Sequence, residues 1–96
     1  MSDLRAELTE SLDEAEWNWL MPHAQRDSVI VVKSELNIVD VGFAIANDNV
    51  AQVQGWIDAD LIHKPSSAQL SDWNGNQTKR FQALIVQPYV LVQEAA

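Results

Sequence analysis

Two histidines, His23 and His63, are the side chains of this sequence best suited to proton transfer or metal binding near neutral pH. Asp27 or Asp60 would have to complete a metal site, because the chain has no cysteine and no His-x-x-x-His spacing. The Ser66-Ser67 pair lacks the Gly-x-Ser-x-Gly setting of an activated nucleophile. We therefore expect structural or surface histidines, no catalytic residue, no metal, no cofactor, and a protein that is not an enzyme.

Amide and basic side chains suited to nucleic acid fall in two parts of the chain. Gln52 and Gln54 lie in a segment with helical spacing, and amide side chains can read base edges. Lys64, Lys79 and Arg80 form a small basic cluster further along. Affinity for duplex DNA comes largely from Lys and Arg on phosphates, and the formal net charge of −8 opposes such contacts. Nucleic-acid binding is therefore an alternative that the charge disfavours.

Large apolar side chains form a third candidate set, for contact with a protein partner or a second copy. Trp17 and Trp19 point about 200° apart on a helix, so one is expected in the core and the other at the periphery. Trp73 is expected either at the surface or covered by its own short helix. An edge strand after Pro88 would favour pairing with a second chain. The candidate interface comprises Trp17, Trp19, Trp73, Tyr89, Val90 and Val92.

The elements that position these residues are centred on residues 37 to 65. Asn37 can cap a first helix, and Asn47-Asp48-Asn49 suits a tight turn. Asn49 can also cap a second helix that runs from Val50 to Asp58, followed at once by a short strand that Pro65 ends. The second helix has the spacing of one buried face, at Val50, Val53, Trp56 and Ile57.

The flanking segments complete a pattern of mixed helices and strands. Residues 2 to about 21 are expected to be one helix capped by Ser2, ended or kinked at Pro22, and residues 28 to 32 a strand. Ser66 and Gln69 have the spacing of a capping box that begins a short helix. Residues 81 to 86 are expected as a strand, and residues 90 to 92 as an edge strand or an extended tail.

The order of these elements resembles that of winged helix-turn-helix proteins, in which a Val and a Trp precede a Leu-Ile strand. Val53, Trp56 and the Leu61-Ile62 pair match that spacing. Those proteins commonly have Gly-Val-Ser in the turn and a Gly before the strand, where this chain has Asn47-Asp48-Asn49 and Asp60. The resemblance implies one α+β, winged-helix-like domain over residues 1–96: helix, strand, helix-turn-helix and a two-stranded wing with an inserted short helix.

Nearly the whole chain is also similar to a family of short acidic bacterial proteins classified as a domain of unknown function. The similarity is carried by Trp17, Pro22-His23, Ala44-Ile45-Ala46 with Asp48-Asn49, Trp56, His63-Lys64-Pro65-Ser66, and the segment from Arg80-Phe81 to Gln87-Pro88. It implies a bacterial origin and brings no established activity.

Hydropathy adds an expected location. No apolar run approaches the ~20 residues of a membrane span, and the N-terminus lacks the basic start and apolar core of a signal peptide. We therefore expect a cytoplasmic protein that makes no membrane contact. Its expected role is that of a non-catalytic protein-interaction module, with a nucleic-acid-binding regulator of the winged-helix type as the alternative.

Overall fold

A five-stranded mixed β-sheet organises the computed structural model, which describes residues 3–86 and 88–94. In their order across the sheet, the strands are β1 (Asp13–Glu16), β4 (Arg80–Val86), β5 (Tyr89–Glu94), β2 (Val29–Val32) and β3 (Ile62–His63). β2 and β5 run parallel, and the other neighbouring pairs run antiparallel. Within the same residues lie five helices: α1 (Leu4–Ser11), α2 (Trp17–Gln25), α3 (Ile38–Ala46), α4 (Val50–Asp58) and α5 (Ser67–Asn74).

The sheet carries an apolar core on each of its faces. In β2, Val29 and Val31 belong to the core under α2 and α5, whereas Val32 belongs to the core under α1, α3 and α4. In β5, Val90 and Leu91 divide between the two faces in the same way. Strands covered on both faces have continuous apolar runs rather than alternation, which is the pattern of residues 29 to 32. The chain is therefore α+β.

Local hydrogen bonds begin α3, α4 and α5 where the sequence predicts. Asn37 Oδ1 accepts from the backbone N–H of Val39 at 2.8 Å, and Asn49 Oδ1 accepts from that of Gln52 at 3.3 Å. The capping box of α5 is confirmed, because Ser66 Oγ and Gln69 Oε1 each accept from the other residue's backbone N–H. These short-range bonds satisfy donors that the first turn of a helix leaves unpaired.

The single helix expected over residues 2 to 21 is wrong. α1 ends at Ser11, Leu12 has an extended backbone, and β1 pairs with the start of β4, with Ala15 opposite Phe81. Long-range strand pairing therefore overrides the helical spacing of this segment. α2 also continues through Pro22 to Gln25. Ser2, the expected cap, lies outside the described residues, and Asp3 caps α1 by accepting from the backbone N–H of Ala6.

The two strands expected to form a wing do not pair with each other. β3 pairs with β2, while β4 lies between β1 and β5. The segment expected as an edge strand or a tail is the central strand β5, in which Val90 lies opposite both Val29 and Ile85. A strand buried on both faces needs a neighbour on each side, because its backbone N–H and C=O groups are shielded from water.

Candidate binding groove

A groove of about 720 Å³ lies between the C-terminal end of α3, one side of α4, and strands β2, β3 and β5. We call it the α4 groove. Tyr89, at the start of β5, closes one side of it and is itself exposed. The other large apolar side chains that line the groove are Ile30, Ile45, Val50, Val53, Ile57 and Ile62.

Helix α4 exposes more apolar surface than its spacing predicts. Val50 is 65% exposed and Ile57 is 48% exposed, whereas Val53 and Trp56 are half-buried against the core. The expectation of one buried face is therefore wrong for Val50 and Ile57. Its physical reason is that, within residues 3–86 and 88–94, the main contacts of α4 are with α3 and β3, and the groove beside them leaves Val50 and Ile57 uncovered. Val50 and Ile57 are functional candidates that the sequence analysis assigned to the core.

Three aspartates with left-handed backbone dihedrals lie at the rim of the α4 groove. Asp27, Asp48 and Asp60 have φ angles of 63°, 57° and 59°, and each comes directly after the C-cap residue of a helix. At each helix end, the aspartate and the following residue donate their backbone N–H groups to carbonyls of the last turn. These bonds form the Schellman motif. The C-termini of α2, α3 and α4, each carrying partial negative charge, therefore meet at this rim.

Two lysines pair with these carboxylates across the surface. Lys64 Nζ pairs with Asp27, and Lys33 Nζ lies 3.4 Å from Asp60 Oδ2. The side chains of Asp27 and Asp60 are 70% and 76% exposed, so water screens both pairs. Exposed pairs of this kind stabilise a fold by about 0–1 kcal/mol each. Each of these two aspartates can therefore release the lysine of its own chain and pair with a cation of another molecule at little cost in free energy.

Four of the six candidate interface residues lie in the core. Trp17, Trp73, Val90 and Val92 are buried on the face covered by α2 and α5, so the interface hypothesis is wrong for them. The Trp17 and Trp73 ring centroids lie 5.0 Å apart, and these rings fill the space between the two helices and the sheet. The two others are exposed: Tyr89 at the α4 groove, and Trp19 on α2.

The candidate polar residues do not converge on one surface. Gln54 and Lys64 line the α4 groove. Gln52 accepts a hydrogen bond from the side chain of Asn49 at the start of α4. Lys79 and Arg80 lie at the start of β4, near the edge formed by β1, whereas Lys64 follows β3 at the opposite edge. The expected basic cluster is therefore split between two edges of the sheet.

Arg80 is held by the acidic strand β1. Its Nη1 donates to Glu14 Oε1 at 2.6 Å. This hydrogen bond and the charge of Glu14, with a further contribution from the charge of Glu16, raise the pKa of Arg80 above its usual value. Lys79 Nζ lies 3.9 Å from Glu94 Oε1. Both cations are thus directed at carboxylates of their own chain.

The two histidines have different neighbours. The His23 ring contacts the Trp19 ring at a tilt of 48°, with a centroid distance of 5.1 Å, and His63 Nδ1 lies 2.8 Å from the carbonyl oxygen of Lys64. Across residues 3–86 and 88–94, no three His, Cys, Asp or Glu side chains are grouped so that they could hold a metal ion. In that same part of the chain, no helix has the length and apolarity required to cross a membrane.

The comparison with protein families gives a match to the model described as "Protein of unknown function (DUF2288)" over residues 3–94. The chain belongs to the DUF2288 family. This DUF2288 chain is also similar to PA1075 from Pseudomonas aeruginosa, whose solution structure was determined by NMR. The TM-score is 0.83 and the identity 27%, covering 100% of this chain and 88% of that chain. No curated protein matches the sequence. The similarity to PA1075 supports the fold, and membership of DUF2288 assigns no activity.

Proposed function

We propose that this DUF2288 chain is a non-catalytic protein-interaction module of the bacterial cytoplasm, and that it binds a partner protein through the α4 groove. The observation that carries the proposal is the exposure of Val50, Ile57 and Tyr89 around an apolar groove. Single exposed apolar side chains are common, but contiguous ones that border a groove mark binding sites. A bacterial origin is supported by the similarity to a Pseudomonas protein.

A non-catalytic role is proposed because the titratable pair in contact at the groove, Asp27 and Lys64, is exposed at its rim. Asp27 and Asp60 are exposed at the rim, where each faces a lysine. Large apolar side chains occupy the floor between them. Acid–base chemistry needs a positioned group within hydrogen-bond reach of the reacting atom, whereas a docking site needs apolar area with a polar border. The α4 groove has the second arrangement.

The winged-helix alternative has one supporting feature. α3, the Asn47-Asp48-Asn49 turn and α4 form a helix-turn-helix, and Gln52 and Gln54 are exposed on its second helix. A nucleic-acid-binding role would use that helix, but none of its residues is Lys or Arg, and its last residue is Asp58. The charges therefore favour the protein-interaction proposal.

Site-specific photo-crosslinking in the native bacterium tests the proposal. The photoreactive residue p-benzoylphenylalanine is placed at Val50 in one variant and at Ile85 in another. Ile85 is a matched control, because it is 49% exposed and lies on the opposite face of the sheet. We expect a discrete adduct with one protein from position 50 and none from position 85.

The protein identified in this way is then purified and its affinity measured. Ile57→Ser is expected to weaken binding, and Ile85→Ser is expected to leave it unchanged, with circular dichroism confirming that both variants are folded. Ile57 and Ile85 have nearly equal exposure, so the two changes remove similar apolar surface. Absence of any adduct from position 50, or equal effects of the two substitutions, would rule out the α4 groove as the docking site.

A further inference from the structure

We infer, as a deepening that rests on the proposed function, that the α4 groove takes a cationic amphipathic segment of the partner protein. One face of this segment would be apolar and cover Val50, Ile57 and Tyr89. Its Lys or Arg side chains would reach the rim formed by Asp27, Asp48 and Asp60. The protein thus selects its partner by charge as well as by apolar contact.

Charge complementarity identifies this occupant. Three aspartates stand at the rim, where Lys64 pairs with Asp27 and Lys33 with Asp60; of these two lysines, only Lys64 lines the groove. The C-termini of α2 and α4 add partial negative charge beside Asp27 and Asp60, whereas at Asp48 the C-terminus of α3 and the N-terminus of α4 oppose each other. A net charge of −8 extends this field beyond the groove and favours the approach of a cation. The same negative charge repels phosphates, acidic peptides and a second copy of this chain.

Lys64 already shows how a cation is held at this rim. Its ammonium group pairs with Asp27 while its own backbone follows β3 along the groove. A partner's lysine or arginine would replace Lys64 at Asp27, a second would replace Lys33 at Asp60, and a third would reach Asp48. Lys64 therefore competes with a partner's cation for Asp27, and its removal should strengthen binding of a cationic segment.

Two synthetic peptides separate charge from apolar contact. The first places leucine on one face of a helix and lysine on the other, and the second replaces every lysine by glutamate. Fluorescence anisotropy of the labelled peptides, titrated with the full chain, is expected to show saturable binding of the lysine peptide alone. The affinity should fall as salt is raised, because salt screens exposed charges.

Paired variants separate the rim from the overall negative charge. Asp48→Asn with Asp60→Asn removes two rim charges and keeps residue types that tolerate left-handed dihedrals. The double variant Asp13→Asn with Asp72→Asn also removes two negative charges. Asp13 lies in β1, at the far edge of the sheet, and Asp72 lies in α5, on the face of the sheet opposite the groove. The rim variant is expected to lose about three- to tenfold in affinity, given exposed pairs of ordinary strength. The remote variant is expected to lose less than about twofold, because neither Asp13 nor Asp72 lines the groove and salt screens exposed charges that are not in contact.

Lys64→Gln gives a test in the direction of gain. It frees Asp27 and removes a like charge from the groove, so the lysine peptide should bind about two- to fivefold more tightly. Arg80→Gln is the control, because Arg80 likewise pairs with one exposed carboxylate, that of Glu14, and lies near the opposite edge of the sheet, outside the groove lining. Its removal should change the affinity less than that of Lys64.

Several results would overturn the inference. They are equal binding of the two peptides, equal losses from rim and remote variants, no peptide binding, or a concentration-dependent dimer dissolved by Ile57→Ser. The photo-crosslink from position 50 is independent of charge. An adduct there with an acidic or neutral segment would overturn the inference about charge while the proposed function stands, whereas absence of the adduct would remove both.

Discussion

The indole Nε1 of Trp17 donates a hydrogen bond to Asn74 Oδ1 across 2.9 Å. This bond joins the first residue of α2 to the last residue of α5. The Trp17 side chain is completely buried, and its ring packs against those of Trp73 and Phe81, which also contact each other. Asn74 therefore supplies the polar partner that allows a large aromatic ring to occupy the centre of this core.

Replacement of Asn74 by alanine should leave the indole N–H of Trp17 without its acceptor. We expect the free energy of unfolding to fall by about 1–2 kcal/mol, the usual cost of an unsatisfied buried donor. Urea denaturation followed by tryptophan fluorescence measures the change. Asn18→Ala is the control, because Asn18 is an exposed residue of the same helix α2. Equal effects of the two substitutions would contradict the role given to Asn74.

Two glycines in helices should respond in opposite ways to alanine. A Cβ atom on Gly42 would lie 2.6 Å from Leu84 Cδ2, so the Leu84 side chain, which is completely buried, would have to shift within the core. Gly42→Ala should therefore lower the free energy of unfolding by about 1–2 kcal/mol through overpacking.

A Cβ atom on Gly55 meets no atom within 4 Å, so the two substitutions form a matched pair. Gly55→Ala should raise the free energy of unfolding by about 0.5–1 kcal/mol through helix propensity. Thermal melts of both variants measure these shifts, and a shift of the same sign for both would contradict the close approach of α3 to the sheet.

The left-handed conformation of Asp60 should make it tolerant of glycine. Relief of the steric cost at φ 59° offsets the added entropy of the unfolded chain. Asp60→Gly should therefore change the free energy of unfolding by less than about 0.5 kcal/mol, even though the residue ends a helix.

Ala59 is the neighbouring control, with a φ of −84° that gives glycine no advantage. Ala59→Gly should lower the free energy of unfolding by about 0.5–1 kcal/mol. Chemical denaturation compares the two variants, and equal losses would show that the dihedral at Asp60 carries no strain that glycine relieves. Because Asp60→Gly also removes a rim charge, it should weaken binding of the lysine peptide without lowering the free energy of unfolding.

Duplex or single-stranded nucleic acid should not bind at low salt. Five of the six Lys and Arg residues pair with a carboxylate of the same chain. They are Arg5, Lys33, Lys64, Lys79 and Arg80. Phosphate contacts would require these pairs to break against a net charge of −8. A gel-shift titration measures this, and a salt-dependent shift that Gln52→Ala and Gln54→Ala abolish would restore the winged-helix alternative.

Helix starts could be predicted from the sequence because their bonds are local. Asn37, Asn49 and Ser66 each bond a backbone N–H within three residues, so the residue types alone indicate the caps. The segment from Asp13 to Glu16 could not be predicted in this way. Its helical spacing competes with pairing to β4, which lies more than sixty residues away in the chain.

The candidate site was less predictable, because exposure depends on what packs over a helix. Val50 and Ile57 have the spacing of a buried face, and within the described residues they are exposed because they border the groove instead of packing under a neighbouring element. One local signal did exist. Asp60 follows the C-cap of α4 with a left-handed dihedral, and aspartate is among the residue types that adopt it.

Strand β5 lies between β2 and β4, although it follows both of them in the chain. A nascent chain that has emerged from the ribosome only as far as β4 has no strand to join the two parts of its sheet. Val29, Val31 and Phe81 would then face water, and such intermediates aggregate or bind chaperones. Translation that stalls before Tyr89 is therefore expected to yield a substrate for quality-control proteases rather than a shortened but working protein.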